Sequence, residues 1–250
     1  MTVIVGMSAK GAPGVSLAMW SLAHLWPRPV TGLELDESGG TWALRHGLTS
    51  EPGLASLAAV QEPLNHQLAS HHAHLISEDH HVVCAPREPQ VISAAMNWLS
   101  DRLRSWRTES DLLIDAGRIQ AGRIKDHPAL TRADTVLCFA RPRAEELGPL
   151  SCALSELASL RDTLSVQVVF IGSAPYLPSE AIHALSELSG YRLPLRIGAI
   201  IPDDTSGANE IIAGGRKGSK IASRWFGPLA NELAAASAHR PIDAFARTAR

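Results

Sequence analysis

Short apolar runs rich in β-branched residues alternate along the chain with longer segments whose apolar positions recur every three or four residues. The first run, Thr2-Val3-Ile4-Val5-Gly6-Met7, reads as a buried strand. The segment from Ser16 to Trp26 reads as a helix stopped by Pro27. The same alternation predicts strands over 2–8, 30–35, 81–85, 111–115, 134–140, 166–171 and 196–201, and helices over 15–26, 53–60, 89–106, 144–160, 178–188 and 219–237. Ile92, Ala95, Met96, Leu99 and Leu103 give the helix that starts at Pro89 one apolar face. Pro228 falls inside the last helical pattern and predicts a kink or a split there. Strands and helices in this order predict an α/β fold, a single doubly wound, mostly parallel sheet with helices on both faces. No repeat and no linker rich in Gly, Pro or Ser divides the chain. One domain over 1–238 and a short tail over 239–250 are therefore expected, and 250 residues suit a single core of this kind.

Between the first strand and the first helix lies Ser8-Ala9-Lys10-Gly11-Ala12-Pro13-Gly14-Val15-Ser16, a glycine-rich turn in the strand–turn–helix setting of a phosphate-binding loop. Backbone N–H groups and the helix N-terminus point at an anion there. The lysine that normally precedes the final Ser/Thr is Val15. Its loss removes a charge-assisted contact of roughly 1.5–3 kcal/mol, about one to two powers of ten in affinity. Hydrolysis suffers more, because that lysine also stabilises charge developing during transfer. Asp36 and Asp115 each end an apolar strand, at the carboxyl edge where open α/β sheets bind ligands. With Ser16 they form a plausible Mg²⁺ environment. The alternatives are a structural turn that binds nothing and strand-end carboxylates that cap turns.

Lys10-Gly11-Ala12-Pro13-Gly14-Val15-Ser16 resembles the deviant Walker A motif, Lys-Gly-Gly-x-Gly-Lys-Ser/Thr, of the ParA/MinD-like ATPases. Lys10, Gly11, Gly14 and Ser16 match; Ala12 and Val15 depart from it. Glu34-Leu35-Asp36 is similar to the family's Asp-x-Asp, and Leu112-Leu113-Ile114-Asp115 to its Walker B-type strand, followed here by Ala116-Gly117-Arg118 where the family often has Pro-Pro. The likeness spans residues 2–236. A finer likeness points to the actinobacterial MinD-like and CpaE/TadZ-like branch.

The resemblance implies ATP and Mg²⁺ as cofactors. Ser16, Asp36 and Asp115 would serve the metal, and residues 10–16 the phosphates. Asp36 and Lys10 would be the catalytic residues, Lys10 reaching the partner's phosphates across a dimer interface. Pro202 and Asp203, just after the last strand, would contact the base by family position. The implied protein is a cytoplasmic spatial-positioning homodimer that binds ATP weakly or not at all and hydrolyses it slowly or not. It would dock a partner in chromosome partition, pilus or secretion machinery. A nucleotide-free scaffold is the alternative. A metabolite phosphotransferase of a related branch is disfavoured, because it needs the missing lysine.

Other features narrow the picture. A net charge of −2 gives no general nucleic-acid footprint. No apolar run approaches the roughly 20 residues of a membrane span. Pro241 interrupts the tail, so an amphipathic membrane helix is not expected there. Neither a signal peptide nor cysteine spacing for a metal is evident, and Cys84, Cys138 and Cys152 read as buried reduced thiols. His71, His72, His74, His80 and His81 read as a solvated loop before a strand. Gly214 to Ser219 reads as a basic surface loop.

Overall fold

The computed structural model describes residues 1–11, 14–62, 64–106, 110–161, 163–190 and 192–238; Ala12, Pro13 and the tail from 239 lie outside them. The chain runs β1 (Val3–Ser8), α1 (Val15–Leu25), β2 (Val30–Glu34), α2 (Trp42–Arg45), α3 (Leu54–Ala58), α4 (His66–His71), β3 (His74–Ser77), β4 (His80–Val83), α5 (Pro89–Ser105), β5 (Asp111–Arg118), α6 (Pro128–Arg132), β6 (Thr135–Ala140), α7 (Ala144–Leu157), β7 (Ser165–Ile171), α8 (Pro178–Leu188), β8 (Arg196–Ile201), α9 (Thr205–Ala213) and α10 (Gly215–Ala238).

Alternation within β1 divides the core in two. Val3, Val5 and Met7 join a cluster with Ile92 and Leu99 of α5 and Leu150 and Leu154 of α7. Ile4 faces the other way, into a cluster with α1 and with Phe226, Leu229 and Leu233 of α10. Period-two side chains on a strand buried on both faces produce this split. Gly6 lets α1 approach closely: a Cβ there would lie 2.4 Å from Met19 Sδ.

The strands form one eight-stranded sheet in the order β3-β4-β2-β5-β1-β6-β7-β8. Every neighbouring pair is parallel except β3 and β4. β1 is central, between β5 and β6, so the connection leaving its carboxyl end sits at the topological switch point. At the opposite edge Asp111 ties the layers together. Its carboxylate accepts from Thr2 N at 2.8 Å, from Trp26 Nε1 at 2.9 Å and from Arg28 Nη2 at 2.6 Å. The Trp26 indole is thereby buried with its one donor satisfied.

The expected α/β architecture is the observed one, with local differences. His74, His80 and His81 sit in the β3–β4 hairpin rather than in a loop, because strand pairing at the sheet edge absorbs them. Residues 205–213 form α9, and the basic segment after it is the first turn of α10, not a surface loop. α10 runs unbroken through Pro228, which lies exposed together with Arg224, the residue whose carbonyl loses its helical donor. Cys84 and Cys138 are buried, whereas Cys152 is exposed on α7.

Candidate functional site

β1 delivers the chain to the carboxyl edge at Ser8, whose Oγ accepts from Gly11 N at 3.2 Å. Gly11 has φ +87° and Gly14 φ +104°, left-handed values that glycine adopts without a Cβ penalty. α1 then begins at Val15 with no side chain capping its first turn, so its leading N–H groups are free of side-chain acceptors. Val15 itself is only 4% exposed and packs into the α1–α10 face of the core. Lys10 and Gly11 are exposed at the rim of the turn.

The acidic wall comes from β5 and β2. Asp115 pairs in register with Gly6 on one side and Glu34 on the other. Its side chain is fully buried: Oδ1 accepts from Gly117 N at 3.0 Å, and Oδ2 has no hydrogen-bond partner. Burial, with the Glu34 charge beside it, pushes the Asp115 carboxyl up to about 7, and the nearby Ser16 hydroxyl opposes that shift. Asp36 stands over Gly117, close enough that a Cβ on that glycine would lie 2.0 Å from Asp36 Cγ. Ser16, Asp36 and Asp115 therefore converge at the loop, as the sequence pattern requires.

Glu34 differs from a mere spacer. It is wholly buried, and its two oxygens accept from Thr41 N at 2.6 Å, Trp42 N at 2.9 Å and Ala85 N at 3.0 Å. Burial raises its carboxyl above the usual range while these amides pull it back. Glu34 thus locks the ends of β2 and β4 and the start of α2 into one wall. Trp42 then donates its indole N–H to the Ser16 carbonyl at 3.1 Å.

Beyond Gly14 a cavity of about 330 Å³ opens between the end of β8 and α9–α10, lined by Leu17, Ile171, Pro202, Asn209, Trp225 and Phe226 among others. Asp203 also lines it, but its carboxylate is held by Arg141, Nε to Oδ2 at 2.9 Å and Nη2 to Oδ1 at 3.3 Å. That guanidinium keeps the Asp203 carboxyl below the usual range.

No family model matches the chain, and no curated protein matches it. Solved structures do. MinD of Pyrococcus horikoshii OT3, in complex with Mg-ADP, aligns over 95% of this chain and 98% of its own at TM-score 0.67 and 16% identity. MinD of Pyrococcus furiosus aligns over 93% and 98% at TM-score 0.68 and 18% identity. A Cyanothece McdA variant in complex with ATP aligns over 97% and 98% at TM-score 0.67 and 15% identity.

The chain has the MinD/ParA fold.

On this MinD/ParA scaffold the residues read from sequence fall into three groups. Ser16, Asp36 and Asp115 meet at the carboxyl edge. Gly11 and Gly14 shape the loop, while Val15 turns into the core and Lys10 into solvent. Pro202 and Asp203 line a neighbouring cavity, the latter through an ion pair. The donor set fits a Mg-nucleotide: a buried carboxylate oxygen without a geometric hydrogen bond lies beside the Ser16 hydroxyl, in the uncapped first turn of α1. Among the described residues no group of three or more His, Cys, Asp or Glu forms a metal cluster of its own, so such an ion would depend on Ser16, water and phosphate. Sequence reasoning missed Trp42, Arg141 and Arg118. Only Arg118 fell in a stretch singled out from the sequence, the Ala116-Gly117-Arg118 that follows Asp115 where the resembled family often has Pro-Pro.

Proposed function

We propose that this chain is a positioning protein of the ParA/MinD type. It binds Mg-ATP without a loop lysine, hydrolyses it slowly or not at all, and docks a partner as a homodimer. The observation that carries the reading is Asp115: a fully buried carboxylate at the end of β5, one oxygen without a geometric hydrogen bond, beside the Ser16 hydroxyl that follows the glycine loop. Burial of such a group costs free energy unless a ligand uses it. Proteins of the same fold support the rest. One was solved with Mg-ADP, another with ATP, and the Aquifex aeolicus MinD in complex with MinC. The partner of this chain belongs by the same reading to partition, pilus or secretion machinery. Among the described residues no helix is long and apolar enough to cross a membrane.

Isothermal titration with Mg-ATP, paired with light scattering, tests this. Micromolar binding, lost in Lys10→Ala together with any nucleotide-linked dimer, is the expected result. Val15→Lys is expected to lower the melting temperature of the nucleotide-free protein, because Val15 is buried in the core and an unpaired ammonium there has no partner. No heat up to millimolar nucleotide, with an unchanged oligomer, would overturn the nucleotide reading. A nucleotide-free scaffold would then stand in its place, a reading favoured by the packing of Val15 into the core.

A further inference from the structure

We propose that Arg118 supplies a bound nucleoside triphosphate with the positive charge that Val15 withholds, acting at the terminal phosphate from outside the cradle. The inference rests on the nucleotide reading above.

β1 and β5 lose their even register just before the loop. Gly6 pairs with Asp115, but Ser8 pairs with Arg118, so β5 spends three residues where β1 spends two. A bulge of this kind bends the strand and re-aims a side chain. Gly117 absorbs the bend at φ +56°, and Ile119 N then donates to Ser8 O at 2.9 Å, fixing the exit of β5 against the start of the loop. The result sets Arg118 across Gly11: a Cβ on Gly11 would lie 3.5 Å from Arg118 Cδ. Its stem lies on the loop, on the strand exit over which Asp36 stands.

The guanidinium at the end of that stem is uncommitted. Arg118 is exposed, and among the described residues no carboxylate lies within salt-bridge distance of it. Lys10, on the turn itself, is likewise exposed and in none of the ion pairs among the described residues, whereas the arginines nearby are engaged elsewhere. Arg141 holds Asp203 and Glu146, Arg143 approaches Glu146 at 3.9 Å, and Arg123 approaches Glu37 at 3.6 Å. A guanidinium stays charged at all working pH values and meets phosphate oxygens with two parallel donors. Placed across the rim of the turn, it approaches a phosphate from the solvent side. With the inner phosphates taken by backbone amides and the helix start, that would be the side left to the terminal phosphate. Arg118 would thus be a binding residue, and the same contact favours the triphosphate over the diphosphate.

Titration calorimetry of the full chain with Mg-ATP and with Mg-ADP tests the assignment. Arg118→Ala is expected to weaken Mg-ATP about tenfold to a hundredfold, with a much smaller effect on Mg-ADP. Arg118→Lys should retain part of the ATP affinity. The melting temperature without nucleotide should not move, since the side chain is exposed and forms no ion pair. An Arg118→Ala protein that binds Mg-ATP like the parent overturns the inference and leaves the nucleotide reading standing. An equal loss for ATP and ADP also overturns it, because the contact would not be terminal. A parent that binds neither nucleotide overturns both.

Discussion

Asp115→Asn is expected to raise the stability of the nucleotide-free protein above neutral pH while abolishing its response to Mg-nucleotide. The folded Asp115 carboxyl titrates at about 7, against an ordinary value of 3.8. Between those two pH values the folded state holds a proton that the unfolded state has released. Stability therefore falls as pH rises through that window, and the full penalty is present above pH 7. A gap of about three pH units corresponds to about 4 kcal/mol. Asparagine keeps the acceptor for Gly117 N and adds no charge beside Glu34, but its amide must find a partner, which returns about 1–3 kcal/mol. The net gain at pH 8 should raise the melting temperature by roughly 5 °C or more for a chain of this size. At pH 4, where the parent carboxyl is protonated too, the gain should disappear. Mg-nucleotide at a hundred times its dissociation constant stabilises a folded protein by about 2.7 kcal/mol, and this increment should vanish in the variant. A variant that melts at or below the parent at pH 8 refutes the account of Asp115 as a group strained for ligand binding.

His127→Phe is expected to remove a second, opposite pH dependence. His127 precedes α6 with 4% exposure, and neither ring nitrogen has a hydrogen-bond partner. Burial, aided by the Arg123 charge, pushes its imidazole down to about 4. Between pH 6.5 and 4 the unfolded chain binds a proton that the folded chain refuses. Stability then falls as pH falls, by about 3 kcal/mol over the window. His46, stacked on Trp20 at 3.7 Å, is lowered to about 4 as well and adds a smaller effect of the same sign, being less buried. Asp115 and His127 thus oppose each other across nearly one range. Relative to the parent, Asp115→Asn should make stability fall more steeply toward acid pH, and His127→Phe should make it fall less steeply. Urea titrations at pH 4.5, 5.5, 6.5 and 7.5 read all three curves. An unchanged pH profile in His127→Phe would dismiss the buried imidazole as their source.

The sheet was legible because each of its buried strands is a short apolar run with its own period. Thr135 to Ala140 and Ser165 to Ile171 are buried almost throughout, and their composition alone declares it. β3 was not legible, since His74, Leu75, Ile76 and Ser77 are half-exposed at an edge and acquire strand form from pairing with β4. α9 was hidden by the glycines around it, although Asp204 caps it by accepting from Gly207 N at 3.0 Å. At the site, the order of Ser16, Asp36 and Asp115 along the chain foretold their meeting, because strand ends of one parallel sheet share an edge. The role of Glu34 could not be foretold: it depends on amides of residues 41, 42 and 85, which only the closed fold brings to one carboxylate. The same holds for Asp203, whose pairing with Arg141 joins the ends of two strands 62 residues apart.

The indole of Trp42 hydrogen-bonds to the carbonyl of Ser16 and meets Trp20 edge-on at 5.7 Å. An emitting ring is thereby wired to the residue that begins the loop's helix, with a second ring and an imidazole stacked behind it. If nucleotide shifts Ser16, that hydrogen bond is expected to change and the emission of Trp42 with it. On the proposed function, Trp42 would be an optical reporter of the loop. A difference spectrum against Trp42→Phe would read occupancy in real time, without a label and without waiting for a phosphate bond to break.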